Sequence, residues 1–527
     1  MIAGFEVPAQ VTSDSVLVRL PDGLGDFRGA RHTRPDRVEG FWVQPAGLVA
    51  GVPYATPVAL HRSGMGSWQG RIVPAEDRYA LYLSVRSDSS GRTVATFRNP
   101  ERNSRGGAPE FQVVRTGDLV RFSDSASGTS AIVATYDSAG PRLTLSWPPL
   151  GAVLTLTPRS RENSVGLFPR TPAPSGYQYR VPLDQGDGWT VGRAGTAGFD
   201  ESVLTRFVSQ VISTDPLARA APLIHSVLIA RQGKLVLEEY FFGYDRTRTH
   251  DLRSASKTFT SIMLGAAMQH GVSLGPESRV YRLFHRYDRF SRPDPRKQQI
   301  TLGHLLTHTS GLACDDSDPG SPGNEGTMQT QTEQPDWIKY TLDLGMAHDP
   351  GAAYAYCSGG MNLVGGTVAV ASGLWLPELF ERWIARPLDI MDYHVNLTPT
   401  GEAYSGGGVQ MRPRDFLKFG QLFLDHGLWR GQRIVPDQWV RQSTTRQVRA
   451  SPDNDDGFGW HLFHLQVGTR QYREYEANGN GGQLLIVVPE LDLAVVFTAG
   501  NYNNYGVWRK FRDELVPEVI IPAIRRR

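Results

Sequence analysis

RSASKTFTSIMLGAAM, residues 253–268, sets Ser254 three positions ahead of Lys257 at the start of an apolar helical pattern. Lysine is scarce here: Lys234, Lys257, Lys297, Lys339, Lys418 and Lys510 are the only ones, and only Lys257 has a serine three residues before it. Arginine stays protonated at any working pH, whereas a lysine held out of water can shed its proton and act as a base. The bias toward arginine therefore makes Lys257 look chemically chosen, although a coding bias with chance survivors leaves the same list.

If a helix begins near Ser254, then Phe259, Ile262, Met263 and Ala266 fall on one face at helical spacing and pack into a core. Ser254 and Lys257 then share one side of the first turn. A serine hydroxyl there lies near unpaired backbone N–H groups. A lysine beside it in a dry site has its ammonium form disfavoured, leaving an amine that takes the hydroxyl proton. The plain alternative is an N-cap serine with an exposed lysine; S-x-x-K alone does not separate the two.

Working outward, 527 residues with 40% hydrophobic and 20% charged residues exceed one typical core, so two or three domains are expected. A net charge of +2 carries no sign of a nucleic-acid partner, and the terminal Arg525-Arg526-Arg527 reads as a solvated tail. Cys314 and Cys357 are too few for a disulfide framework and form no C-x-x-C pair, so metal and redox roles gain no support. No stretch is apolar for the length of a membrane span, and the first residues lack a signal-peptide pattern, which gives a cytoplasmic expectation.

Residues 1–165 show short strands with period-two alternation broken by Ser-Gly, Thr-Gly and Gly-Pro turns, an all-β sandwich or barrel-like accessory domain. Residues 166–189, rich in Pro and Gly, read as a linker. Over 190–527 the elements mix. SVLIARQGKLVLEEYFFG (226–243) is a hairpin turning near Gln232-Gly233, and QLLIVVPELDLAVVFTAGN (483–501) is another turning near Pro489 to Asp492. The long helical interval between them predicts an α+β arrangement in which both hairpins join one antiparallel sheet with helices beside it.

Two further motifs follow in order, YAYCSGG (354–360) and ANGNGGQLLIVVPELDLAVV (477–496), framed by ITLGHLLTHTSGL (300–312) and SGGGVQMRPRDFLKFGQLFL (405–424). Together these resemble the serine β-lactamase-related and penicillin-binding-protein-like hydrolases, especially the esterase and amidase branch near class C β-lactamases and aminohexanoate-dimer hydrolases, over roughly residues 190 to 520. The resemblance implies a β-lactamase/transpeptidase-like domain with Ser254 as nucleophile, activated by Lys257 and Tyr356. It implies an oxyanion hole of the backbone N–H groups of Ser254 and Asn480, and substrate contacts from Ser358, Asn478, Gly479 and Gly481. The expected substrate is a small ester or amide, with no metal or cofactor; the oligomeric state stays open.

This sequence departs from the resemblance where Ala477-Asn478-Gly479 replaces Lys-Thr-Gly. The missing lysine places efficient β-lactam turnover in doubt. Ser358, in place of the more usual asparagine, keeps a hydrogen-bonding side chain with a shorter reach. Alternatives stay open at this point: an acyltransferase passing the acyl group to an amine or alcohol, or a degenerate relative that binds peptides or cell-wall fragments. A Ser-His-Asp hydrolase is poorly supported, since no G-x-S-x-G elbow is present and His308 reads as a helix-end residue.

Overall fold

The computed structural model describes residues 7–525 apart from 13–14, 31–35, 48–50, 66, 77–78, 100–109, 125–129, 148–150, 171–175, 219, 288 and 331–334. Arg526 and Arg527 of the expected basic tail lie outside the described residues.

The hairpin signals sit where the residues demand them. Ile224–Arg231 pairs with Lys234–Tyr240 across Gln232 and Gly233, both with positive φ (52° and 72°), as a two-residue primed turn requires. Gln483–Val488 pairs with Leu493–Ala499 across a short 3-10 turn ending at Asp492, φ 46°. The two hairpins meet when Ile224–Arg231 pairs with Leu493–Ala499. They form the centre of a nine-stranded sheet that runs on through Arg470–Gly479 and His461–Val467.

These central strands read as continuous apolar runs because both faces are covered. Leu485, Val487, Ala494 and Val496 join the core on the side of the helix Ser256–Gln269. Their alternates Leu484, Ile486, Val495 and Phe497 join a second core with Phe207 of the helix Glu201–Ile212 and with Phe511 and Val516 near the C-terminus. Burying each such side chain is worth about 1.5–3 kcal/mol relative to exposure, so a one-residue slip of either hairpin exchanges the two cores wholesale. The helix Ser256–Gln269 differs from the amphipathic expectation: every residue from Ser256 to Ala267 is buried. It runs through the core against the helix Ser358–Ser372 and has no wet face.

The boundary expected near residue 165 is crossed by hydrogen bonds. The strands from Ala9–Val11 to Tyr54–Arg62 form a sheet that continues through Tyr393–Asn396 and Val409–Met411 to His250–Asp251, directly before the nucleophile motif. A separate seven-stranded antiparallel meander spans Tyr82–Ser87 to Ala152–Leu156. Within the stretch expected as a linker, residues 177–189 are held to the domain: Tyr177 donates to Glu239, Tyr179 to the Val236 carbonyl, and Asp187 pairs with the buried Arg414, while 171–175 lie outside the described residues.

Buried histidines tie this architecture together. His394 Nδ1 lies 2.8 Å from Thr56 Oγ1, and His225 Nδ1 lies 2.9 Å from His250 Nε2. Desolvation holds them neutral, pushing His250 and His394 down to about 4 and His225 well below the ordinary value. A histidine whose folded-state value is depressed contributes stability above the unfolded value near 6.5, lost as pH falls from there toward 4, because the unfolded chain takes up the proton first. Between pH 6.5 and 5 His394 should therefore account for about 2 kcal/mol of lost stability. Urea unfolding at both pH values should show that much smaller acid loss in His394→Gln than in the parent; equal losses would contradict the neutral, buried assignment.

Candidate active site

Ser254 sits in a 3-10 turn, Arg253–Ala255, that runs straight into the helix Ser256–Gln269. Arg253 ahead of it has φ 50°, a left-handed conformation that costs a non-glycine residue on the order of 1–3 kcal/mol. The turn is held by the Arg253 N–H donating to Asp251 Oδ1 at 2.9 Å and by the guanidinium, 3.1 Å from Asp251 Oδ2 and stacked 5.0 Å over the Tyr502 ring.

Lys257, 4% exposed, donates to Ser254 Oγ at 3.1 Å and to the Gly406 carbonyl at 2.5 Å, with its Nζ 4.8 Å from the Tyr356 ring centroid. Here the electrostatics correct the expectation. Desolvation pulls the lysine down, but the pull of Tyr356, Glu325 and Asp316 outweighs it, and the net direction is up. The ammonium form is favoured, so a dry site alone does not produce a free amine.

The second motif is anchored by a loop the sequence did not single out. Asp316 Oδ2 accepts from the Ser358 N–H and Oδ1 from the Glu325 N–H, each at 2.8 Å, and the Asp316 N–H donates to the Tyr356 carbonyl. Burial raises the Asp316 carboxyl despite these donors. Glu325 in turn accepts from Tyr404 Oη at 2.6 Å. Cys314 and Cys357, too few for a framework of disulfides, are joined in a single one. Cys357 lies between Tyr356 and Ser358, and its sulfur caps the helix Ser358–Ser372 by accepting from the Gly360 N–H at 3.0 Å. The bridge closes a loop of 43 residues, worth about 4 kcal/mol by chain entropy. Reducing agent, or replacing both cysteines with alanine, should lower the urea unfolding free energy by roughly 2–4 kcal/mol; unchanged stability on reduction would show the bridge is idle.

His308 follows the helix Leu302–Leu306, as its reading as a helix-end residue expects. It is buried, accepts from the Cys357 N–H through Nδ1 at 3.2 Å, and desolvation pushes it down to about 3. A further buried network was missed: Tyr354 Oη donates to Asp456 Oδ2 at 2.9 Å, and Asp456 Oδ1 pairs with His461 Nδ1 at 2.7 Å. Asp456 and His461 line a small recess together with Ser254, Lys257 and Asn478. Nothing in local spacing announces that Tyr354 meets Asp456, 102 residues further on.

The third motif closes the site. Gly479 ends the strand Arg470–Gly479 where a Cβ would stand 2.2 Å from the Leu252 carbonyl, so only glycine lets this strand lie against the turn that carries Ser254. Among the described residues no group accepts a hydrogen bond from the backbone N–H of Ser254 or of Asn480. Asn480 is fixed by its side chain, which donates to Asn503 Oδ1 at 2.7 Å and accepts from the Asn503 N–H at 2.8 Å. Ser254, Tyr356, Asn478 and Asn480 line one cavity of about 1360 Å³. Ser358, Gly479 and Gly481 do not line it: Ser358 is fully buried, and Gly481 bridges Asn501.

The cation missing from the third motif has counterparts elsewhere on this wall. Arg253, Arg509 and Arg512 all line the cavity. Arg253 is engaged by Asp251, and Arg512 by Glu476 at 2.9 Å and Asp513 at 2.7 Å, whereas Arg509 stacks on Tyr505 and Trp508. Glu476 also accepts from Asn478 Nδ2 at 2.9 Å, which links the arginine to the strand Arg470–Gly479 that lines the cavity. Among the described residues no group of three His, Cys, Asp or Glu side chains could hold a metal, and no single helix is long and apolar enough to cross a membrane.

A serine, a lysine and a tyrosine thus converge before a strand edge that carries small residues. The family model described as Beta-lactamase matches residues 224–507, a span that holds all three motifs and more than half of the chain, and the chain belongs to that family. Its fold is accordingly β-lactamase/transpeptidase-like, mixed α+β, with all-strand sheets ahead of it. Among curated relatives, it is 24% identical over 238 residues to 6-aminohexanoate-dimer hydrolase of Paenarthrobacter ureafaciens, covering 44% of this chain and 59% of that protein. It is 33% identical over 153 residues to acyltransferase mokF of Monascus pilosus, covering 27% and 36%. It is 28% identical over 259 residues to D-alanyl-D-alanine-carboxypeptidase/endopeptidase AmpH of Escherichia coli, covering 42% and 66%. The chain thus spans between about a third and two thirds of the length of these relatives.

Proposed function

We propose that the protein is a serine hydrolase that cleaves a small ester or amide through an acyl-serine intermediate on Ser254. The observation that carries this is Lys257 Nζ, buried and placed between Ser254 Oγ and Tyr356. As the Ser254 oxygen attacks the substrate carbonyl, its proton passes to the Lys257–Tyr356 pair acting as one acceptor. Lys257 keeps its ammonium charge, which stabilises the proton-deficient tyrosine oxygen that takes this proton and the charge developing on the attacking serine oxygen, in keeping with the upward direction at Lys257. The carbonyl oxygen, now negative, is held by the unengaged N–H groups of Ser254 and Asn480, each worth about a hundredfold or more in rate. The pair then returns the proton to the leaving alcohol or amine, and water attacks the acyl-enzyme by the reverse route.

Passage of the acyl group to an amine or alcohol is the second reading, supported by the identity to an acyltransferase and by a cavity roomy enough for an acceptor beside the acyl group. The disulfide suits an oxidising compartment better than the cytoplasm.

Intact mass after brief exposure to p-nitrophenyl esters, the matching anilides and a chromogenic cephalosporin tests this. We expect one acyl adduct on Ser254 and turnover of small esters at least tenfold above the cephalosporin, because the third motif carries no lysine for the cephalosporin carboxylate and Arg253 and Arg512 on the cavity wall are already engaged by carboxylates. Cephalosporin turnover equal to the best ester would assign the missing lysine's work to these arginines. A complete lack of adduct with every class would favour a binding protein.

A further inference from the structure

The seven-stranded meander Tyr82–Ser87 to Ala152–Leu156 has its first and last strands as edges, and among the described residues no ladder joins them. Both edges nevertheless line one cavity of about 960 Å³, so the sheet curls until they face each other across an open seam. One end of the concave side is filled by aromatic rings: Phe97 lies 5.6 Å from Phe111, 4.9 Å from Phe122 and 5.3 Å from Trp147. The other end is not filled. Leu83, Val113, Tyr136 and Leu156 remain half-buried there and line the cavity. Its volume lies at the top of the range for small-molecule sites, roughly 300–1,000 Å³.

The charges around this space have one sign. Arg115, Arg142, Arg159 and Arg161 line it, and among the described residues no aspartate or glutamate does. Strand alternation sets Arg115 on the same face as Phe111 and Val113, with its guanidinium 4.5 Å over the Tyr136 ring. Arg161 lies 4.6 Å over Phe168. A guanidinium on an aromatic face keeps its planar edge for an anion, which it grips through two parallel N–H donors. None of the residues around this cavity lines the one that holds Ser254.

We propose that this cavity is a second binding site, distinct from the serine centre, for an amphipathic anion: an aliphatic or aromatic body against the half-buried apolar residues and a carboxylate, sulfonate or phosphate head among the four arginines. The occupant is a small molecule, since the space is bounded by both edges of one curled sheet and the cationic groups cluster on its rim.

Calorimetric titration of the full chain with dodecanoate and with dodecanol, after Ser254 has been capped by a phosphonate probe, tests this. The expected result is one saturable dodecanoate site, at least tenfold tighter than dodecanol. It should weaken at least tenfold in the double variant Arg142→Glu/Arg159→Glu, whose ester hydrolysis before capping matches the parent. Equal affinity for the acid and the alcohol, parental affinity in the charge-reversed chain, or no saturable binding would each overturn the proposal. Should that chain fail to fold, Leu156→Trp, which fills the apolar end, gives the same decision: a tenfold loss supports the site and unchanged affinity overturns it. Binding that appears only before capping would place dodecanoate in the catalytic cavity and also overturn it.

Discussion

Ser254→Ala should form no acyl adduct, and its hydrolysis of the best ester should fall by at least about 10⁴-fold, the scale on which removal of a covalent nucleophile acts. The fold should survive. Ser254 is not the N-cap of the following helix: that position is Ala255, with no side-chain cap, so the usual cost of a lost cap does not apply. Without the serine oxygen Lys257 still donates to the Gly406 carbonyl, so no buried cation is orphaned. The unfolding free energy should therefore stay within about 1 kcal/mol of the parent. Intact mass, ester kinetics and urea unfolding on one preparation check all three parts. A folded Ser254→Ala chain that turns over the ester at the parental rate would remove the nucleophile assignment and the proposed function with it.

What could be read from the sequence was what local spacing encodes. Ser254 and Lys257 are three residues apart, so a single helical turn brings them together, and the hairpin at Gln232-Gly233 is fixed by two adjacent residues able to take positive φ. The partners of those elements were not legible, because alternation marks a strand without naming its neighbour. Thr56 and His394 are 338 positions apart, and nothing in either segment foretells that the N-terminal strands complete a sheet ending beside the nucleophile. Asp316 with Ser358, and Tyr354 with Asp456, are separated by 42 and 102 residues. The same limit explains the reversed direction at Lys257. Burial was readable from an apolar helix, but the opposing groups Tyr356, Glu325 and Asp316 arrive from distant loops. The substrate contacts expected at Ser358, Gly479 and Gly481 came from motif order, which does not encode that none of the three lines the cavity or that Gly479 is the point where two segments nearly touch.

Lys257→Arg should lose at least a hundredfold in acylation rate, within the ~10²–10⁴ range of acid-base contributions. The substitution is informative because the structure favours a charged lysine. Arginine keeps the positive charge near Tyr356, so a role limited to charge would leave most of the rate intact. It cannot release a proton at any working pH, and its planar head cannot fill the place of a compact ammonium lodged between Ser254 Oγ and the Gly406 carbonyl. At 4% exposure the larger head must also be accommodated in the core, so a fall of a few degrees in Tm is expected alongside the rate loss, roughly the effect of 1–2 kcal/mol. Tyr356→Phe should lose rate without that packing cost. The double variant should fall far less than the product of the two single effects, because residues that hold one proton between them act as a unit. Multiplicative losses would separate the tyrosine from the lysine and return proton transfer to one of them alone; near-parental acylation in Lys257→Arg would reduce the lysine to a fixed positive charge beside the serine.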